Sequence, residues 1–340
     1  MNTKMSRRSF VSTAAVATTG LALAACGISS TASEGDASTE LTPITFCLDY
    51  TPNTNHTGIY VAQQKGFFAE EGLDVTIVQP AESTAEALIG TGQAQLGVSY
   101  QDYIASALVG GNEDILAVAA IIQHNTSGIM SRADDGITSA AKMEGHTYAT
   151  WDLPVEQATI RQVMESDGAD YSKLKLVPYT VDDDVAGLKA GMYDCVWVYE
   201  GWAVQSAKLQ DYEVNFFSFA SMDSVFDFYS PVIAANARYA RENPDVVKAF
   251  VRAVKRGYEL AIKSPEEAAD LLIEAVPELD ADLVHASADF LADQYQADAA
   301  SWGVIDGDRW AAYFQWLNDN KLVEPALDVD SCWSGDYLEA

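Results

Sequence analysis

The sequence predicts an α/β protein of two lobes, and three features carry that expectation. Strand-like and helix-like segments alternate from about residue 44 to residue 199, which is the mark of α/β architecture. The alternation comes in two blocks. Beyond about residue 236 the pattern is helical only, leaving a tail that must pack back on one block.

In the first block, ITFCLDY (44–50) reads as a strand, and HTGIYVAQQKGFFAEEG (56–72) as a helix ended by glycine. LDVTIVQ (73–79) alternates as a strand does, TAEALIGTG (84–92) puts Ala85, Leu88 and Ile89 on one helical face, and QLGVS (95–99) is a short buried strand. A helix over 101–109 stops at Gly110-Gly111, and ILAVAAII (115–122) has the unbroken apolar run of a strand covered on both faces. The second block runs through HTYAT (146–150), a helix over 154–167, LKLVPYT (174–180), a helix over 183–190 stopped by Gly191, and DCVWVY (194–199). In the tail, Asn243-Pro244 and Ser264-Pro265-Glu266-Glu267 read as helix starts, the second with the form of a capping box. Val247, Val251, Val254 and Tyr258 form one apolar stripe, and Trp310, Phe314 and Leu317 another; both are read as packing faces.

The first 25 residues are an address and stand outside the fold. Twin arginines, Arg7 and Arg8, precede an uncharged run that ends at L-A-A-C-G. This is the pattern of a twin-arginine (Tat-type) lipoprotein leader, with Cys26 as the lipidated residue. Residues 26–42 follow as a flexible tether, and the folded body is expected to start near Pro43. The protein is thus expected outside the cell, lipid-anchored to the outer face of the cytoplasmic membrane and touching the membrane only through that anchor.

The chain carries 20 Lys+Arg against 50 Asp+Glu, a net charge of −30. The leader holds three of the cations (Lys4, Arg7, Arg8) and no acid, so the mature part is near −33. Such a charge repels nucleic acid and anionic lipid as partners. Hydrophobic residues make up 49% of 340, enough for a large core split between two lobes. Beyond Cys26, the cysteines Cys47, Cys195 and Cys332 lack metal-like spacing, and their odd number excludes complete pairing within the chain. The histidines are scattered, and no metal or cofactor is expected.

If the second block is inserted in the first, the chain crosses near 129–136 and returns near 230–236. One lobe is then 43–130 plus 236–340 and the other 131–235. That is the two-crossing topology of a type II periplasmic binding protein.

The resemblance becomes specific at F-C-L-D-Y-T-P-N-T-N-H-T-G-I-Y-V-A (46–62) and K-G-F-F-A-E-E-G-L-D-V (65–75), and continues at L-I-G-T-G-Q-A-Q-L-G-V-S (88–99), T-S-G-I-M-S (126–131) and V-W-V-Y-E-G-W (196–202). Over most of 44–260 the chain resembles the formylaminopyrimidine-binding lipoproteins of thiamin-salvage ABC importers and the related eukaryotic hydroxymethylpyrimidine phosphate synthases. K-G-F-F is shared with sulfonate- and nitrate-binding relatives. The resemblance implies two lobes closing over one ligand, a thiamin-precursor aminopyrimidine, and a membrane permease as partner.

Ligands of open α/β sheets sit at the carboxyl ends of strands. The candidates there are Asp49 and Tyr50, Ser99 and Tyr100, and Tyr199 and Glu200, joined by Trp151 and Tyr229 as flat faces for stacking. Asn53 joins the set by resemblance, and His56 as a residue that either contacts ligand or stabilises its turn. Ionised carboxylates only accept hydrogen bonds, so Asp49 and Glu200 call for a ligand rich in N–H donors, as an aminopyrimidine is. Each has a structural alternative: Asp49 and Glu200 as helix caps, Tyr199 and Trp202 as core.

The rival from another class is an enzyme, since the eukaryotic relatives make the pyrimidine. By the resemblance their lysine and histidine fall at Ser99 and Tyr103, and serine forms no Schiff base. Their cysteine-rich stretch falls at 217–226, which has no cysteine. No catalytic residue is therefore expected. A second rival is a binding protein for another flat heterocycle such as riboflavin.

Overall fold

The computed structural model describes residues 41–80, 83–111, 114–181 and 183–338. The leader, Cys26 and most of the tether lie outside them. Ten strands build two sheets: β1 (Thr42–Cys47), β2 (Leu73–Val78), β3 (Leu96–Ser99), β4 (Ile115–Ala120), β5 (Ser127–Arg132), β6 (Thr147–Thr150), β7 (Lys175–Pro178), β8 (Cys195–Tyr199), β9 (Val214–Ser218) and β10 (Val232–Asn236). The first sheet has the order β2-β1-β3-β10-β4 and the second β7-β6-β8-β5-β9.

Both sheets follow one plan. Three strands run parallel (β2, β1, β3 in one; β7, β6, β8 in the other), and the fourth position is filled by an antiparallel strand that arrives from the opposite sheet. That strand is β10 in the first sheet and β5 in the second. The expected crossings need correction accordingly. A boundary at 130 cuts through β5, and one at 235 leaves nearly all of β10 on the wrong side; the pairings put the change of sheet between Ala120 and Ser127 and between Ser218 and Val232. Neither β5 nor β10 follows a crossover helix of its own sheet, so the strand–helix rhythm that exposed the other strands does not announce them.

The tail is helical as expected: Ala237–Glu242, Pro244–Lys263, Pro265–Ala275, Ala281–Ala292 and Gly307–Asp319. Pro244–Lys263 packs in one core with Phe46 and Ile59 of the first block, whereas Trp316 of the last helix reaches the second block, donating from Nε1 to Gln162 Oε1 at 2.6 Å. The last stretch of the tail lies along the open edge of β4, where Ala117 N–H donates to Cys332 O (2.8 Å), Ser334 N–H to Ala117 O (2.9 Å) and Ala120 N–H to Gly303 O (3.0 Å). A bare strand edge invites pairing with another chain, and these bonds remove that opportunity. Ser264 and Asn243 do occupy N-cap positions, but neither side chain makes the cap bond the capping pattern predicts. Asn243 instead donates from Nδ2 to Tyr239 O (3.1 Å).

The single helix expected over 56–72 is broken. A short 3₁₀ turn, Thr54–His56, leads into the helices Thr57–Gln64 and Phe67–Glu70, separated at Gly66, whose φ of +74° no other residue type adopts cheaply. Thr57–Gln64 lies against Pro244–Lys263 with the two glycines Gly58 and Gly257 at the contact: a Cβ on Gly257 would sit 2.0 Å from Gly58 O. The stripe Val247, Val251, Val254 and Tyr258 is buried in the same core as Phe46 and Ile59, and Phe250 stacks on Phe46 at 5.3 Å. A second core, with Ile129, Tyr148, Trp197, Tyr229, Trp310 and Phe314, draws residues from both sheets and so ties the lobes beside the crossings.

Candidate functional site

The candidate residues Asp49, Tyr100, Trp151 and Glu200 stand just past the carboxyl ends of parallel strands of the two sheets. After β1 the chain turns through Asp49 into the Asn53–His56 turn. Asn53 caps that turn, accepting from Asn55 N–H at 2.9 Å, while its own N–H donates to His56 Nδ1 at 3.2 Å. With Nδ1 an acceptor, Nε2 carries the proton and donates to Asp49 Oδ1 at 2.6 Å. His56 is fully buried. Tyr100, after β3, donates its hydroxyl to Asp49 Oδ2. Burial pushes the Asp49 carboxyl up, but His56 and the hydrogen bonds from His56 and Tyr100 outweigh it and hold the carboxyl below its ordinary value. Asp49 is therefore the hub of a fixed acidic group, and Asn53, not Asp49, is the helix cap.

Tyr100 meets the second lobe directly: its ring lies 6.5 Å from that of Tyr199, at the end of β8, and 5.4 Å from Tyr103. Burial raises the Tyr199 phenol far above its usual range and the Tyr103 phenol to about 12. Both tyrosines are thus uncharged donors at neutral pH. On the same lobe, Trp151 follows β6 and packs at 5.6 Å from Trp197 and 6.3 Å from Tyr179. The loop that carries it is held by a buried carboxylate, Glu156, which accepts from Tyr148 OH (2.7 Å), Thr150 Oγ1 (3.0 Å) and the N–H groups of Trp151 (3.0 Å) and Leu153 (3.3 Å). With Trp151 left 39% exposed on a fixed loop, its ring is a ready-made stacking face.

The candidates thus divide. Asp49, His56, Tyr100 and Tyr199 come together where the two sheets meet, while Trp151 packs apart from them, against Trp197 and Tyr179. Tyr50 is 69% exposed and makes no ring contact among the described residues. Asn53 shapes the turn. Ser99 is buried, its Oγ donating to Glu86 Oε1 at 2.7 Å. Tyr229 is wholly buried, with its hydroxyl accepting from Arg309 Nη2 and Asp306 N–H and its ring under the Arg309 guanidinium at 4.2 Å; it packs the protein and offers no open face. Glu200 opens a π-helical turn, Glu200–Val204, without capping it; its carboxylate, raised by burial, has no hydrogen-bond partner among the described residues.

Sequence reasoning did not single out Asp102, Trp197 or Glu156, which the structure places beside these candidates. Trp197 stands two residues before Tyr199 on β8, so strand alternation alone puts both on one face. Asp102 lies in the first turn of the helix Gln101–Val109. Burial lifts its carboxyl to about 7 against the backbone N–H groups of Asp102 and Tyr103, which pull it down. Nothing in sequence separates it from an ordinary helix-start acid.

A model of the family described as NMT1/THI5 like matches residues 53–268. The chain belongs to that family. It is 27% identical to the formylaminopyrimidine-binding protein of Halalkalibacterium halodurans over 92% of this chain and 95% of the relative. It is 25% identical to a 4-amino-5-hydroxymethyl-2-methylpyrimidine phosphate synthase of Saccharomyces cerevisiae over 71% of this chain and 73% of that one. Among solved structures, the aliphatic sulphonate-binding protein SsuA of Escherichia coli superposes with a TM-score of 0.70, covering 88% of this chain and 99% of its own at 16% identity. The alkanesulfonate-binding protein of Xanthomonas axonopodis pv. citri, bound to MOPS, gives 0.66 with 87% and 99% covered at 14% identity. Family members thus include both a binder and synthases, and the fold is the two-lobed type II periplasmic-binding-protein fold expected. Family and fold support a solute-binding role.

Proposed function

We propose that the chain is the extracytoplasmic solute-binding component of an ABC importer and that it captures a thiamin-precursor aminopyrimidine between its lobes for delivery to a permease. The observation that carries this reading is the composition of the cleft: Asp49 fixed by His56 and Tyr100 on one side, Trp151, Trp197 and Tyr199 on the other. A carboxylate whose position is fixed and which accepts only, facing flat aromatic surfaces, suits a planar heterocycle with N–H donors. It does not suit a sulfonate, which the mature charge near −33 also opposes.

The synthase alternative has little to stand on at the residues that matter. Ser99, at the position the resemblance gives to the synthase lysine, is buried against Glu86, and Tyr103 stands at that of the histidine. L-A-A-C-G after the twin arginines supports anchoring through Cys26, so Cys26→Ser should move the protein from the membrane to the soluble fraction.

The test is mass spectrometry of small molecules released from gently purified protein, followed by calorimetric titration with an aminopyrimidine, riboflavin and an alkanesulfonate. Binding of the pyrimidine alone, with a smaller radius of gyration on saturation as the lobes close, is the expected result. Preference for riboflavin or the sulfonate overturns the ligand assignment.

A further inference from the structure

One imidazole sits where the two crossings and the helical tail converge. His124 lies on the first crossing, between β4 and β5, and Asp227 on the second, between β9 and β10; His124 Nδ1 is 2.7 Å from Asp227 Oδ2. Its other nitrogen, Nε2, is 2.9 Å from Oδ1 of Asp298, an exposed carboxylate between the helices Ala281–Ala292 and Gly307–Asp319. An ionised carboxylate only accepts, so both ring nitrogens must carry protons for both bonds to form, and the ring is then an imidazolium. Burial pulls the imidazole down, but the hydrogen bonds to Asp227 and Asp298 and the Asp227 charge outweigh it, against the charge of Arg309, and hold it above its ordinary value.

The surroundings also accommodate the neutral ring. Arg309, on Gly307–Asp319, brings Nη1 within reach of Gln123 O (2.8 Å), Asp227 Oδ2 (3.0 Å) and His124 Nδ1 (3.0 Å). That nitrogen has only two protons to give. While Nδ1 is protonated they go to Gln123 and Asp227, and Asp227 Oδ2 receives from both His124 and Arg309. If Nδ1 loses its proton, its lone pair competes for them; if Nε2 loses its proton instead, a lone pair faces Asp298. Either way one carboxylate is released, because a neutral imidazole has a single N–H. Asn125 supplies further ties between the crossings, donating from its N–H to Asp227 Oδ1 (2.9 Å) and from Nδ2 to Phe226 O (2.9 Å), and an amide does not titrate.

We propose that His124 is a pH-operated clasp on the lobe hinge: protonated, it fastens the two crossings to each other and to the tail, and deprotonated, it releases one of these ties and lets the lobes part more readily. Hinges work through backbone rotation in a few connecting residues, and the crossings are the only connections between β4 and β5 and between β9 and β10. The lobes are in contact in this structure, with the rings of Tyr100 and Tyr199 6.5 Å apart, so the charged clasp favours the closed arrangement. Its contribution is complete below 6.5 and is lost as pH rises through the raised value of the folded state. The device does not depend on which ligand the cleft takes.

Small-angle scattering of the ligand-free protein at pH 5.5 and pH 8.5 reads the lobe arrangement, and thermal melting at the same two values reads the bond. His124→Gln is uncharged at both. The wild type should have the larger radius of gyration at pH 8.5, and the variant should show less than half of that change. Between pH 5.5 and pH 8.5 the wild type should also lose about 2 °C more in melting temperature than the variant does. Asp102 and Asp184, raised to about 7 and about 6, are present in both proteins and cancel in the difference. Asp298→Asn alters only an exposed side chain, so it keeps the fold, and it should move the wild-type expansion to lower pH. A wild-type radius that is the same at both pH values, or that changes equally in His124→Gln, overturns the clasp, as does an equal loss of melting temperature in the two. Should His124→Gln fail to fold, Asp298→Asn decides alone, and an expansion at an unmoved pH overturns the proposal.

Discussion

His56 Nε2 lies 2.6 Å from Asp49 Oδ1, seven residues away, and the backbone N–H of Asn53 fixes which nitrogen of the ring carries the proton. The buried imidazole thus serves as a rigid donor to one oxygen of the carboxylate, while the Tyr100 hydroxyl engages its other oxygen. Asp49→Asn keeps the shape but removes the charge and one acceptor oxygen, so that His56 Nε2–H and the Tyr100 hydroxyl can no longer both donate to it. The expected loss is about 2 kcal/mol of folding stability, read from urea unfolding at pH 7, together with at least a tenfold loss of ligand affinity. Because the folded-state carboxyl is held below its ordinary value, the Asp49 contribution is present at neutral pH and lost as pH falls through that lowered value. Wild type and Asp49→Asn should therefore converge in stability on the acid side, below pH 3.8. A gap that persists there would assign the effect to shape instead of charge.

The contact of Gly58 with Gly257 sets how closely the helices Thr57–Gln64 and Pro244–Lys263 approach. Gly257→Ala would put a methyl group 2.0 Å from Gly58 O, a backbone atom that cannot yield without moving its helix. A loss of roughly 2–4 kcal/mol is expected from thermal or urea unfolding. Gly335→Ala meets nothing within 4 Å and serves as the control, with a change of less than about 0.5 kcal/mol. Similar small effects for both would mean that the helices do not pack at this distance.

Asp102 gives a pH dependence of opposite sign to that of Asp49. Its ordinary value of 3.8 rises to about 7 in the fold, so the native state keeps a proton that the unfolded chain gives up. The protein should accordingly lose stability as pH rises from about 4 to about 7, and no further above that. An asparagine side chain cannot ionise, so Asp102→Asn should melt a few degrees above wild type at pH 8 and level with it at pH 4. Asp184, raised to about 6, acts in the same direction but is present in both proteins and cancels in the difference. Equal melting at both pH values would show that the Asp102 carboxyl is well solvated.

What the sequence disclosed follows from what alternation can report. Parallel strands with their own helices, such as β1, β2 and β3, appeared within a few residues of their observed limits, and the tail stripes Val247–Tyr258 and Trp310–Leu317 are buried as their spacing required. β5 and β10 were missed because each is exchanged between sheets, and that is a property of the whole topology. The same limit applies to the site. Asp49, Tyr100 and Tyr199 were legible as strand-end residues because the strands themselves were. Tyr229 also stands next to a strand, just ahead of β10, but Arg309, 80 residues away, covers it. Only the folded chain could show that pairing.

Glu200 is the strand-end residue whose role a single substitution separates. It follows β8 at the start of a π-helical turn, its N–H donating to Thr126 O at 3.0 Å, and burial raises its carboxyl against a weaker pull from Lys208. Such turns often mark functional positions, since they re-aim the side chains around them. No hydrogen bond within the protein would be lost in Glu200→Gln, and removing a partly buried charge should leave the melting temperature unchanged or slightly higher. If the carboxylate instead accepts from the ligand's amine or ring nitrogen, the same change sets N–H against N–H. A charge-assisted hydrogen bond is worth about 1.5–3 kcal/mol, so affinity should fall by about tenfold to more than a hundredfold. Calorimetric titration beside thermal melting reads both quantities. Normal affinity in the variant removes Glu200 from the site and leaves Asp49 as its carboxylate.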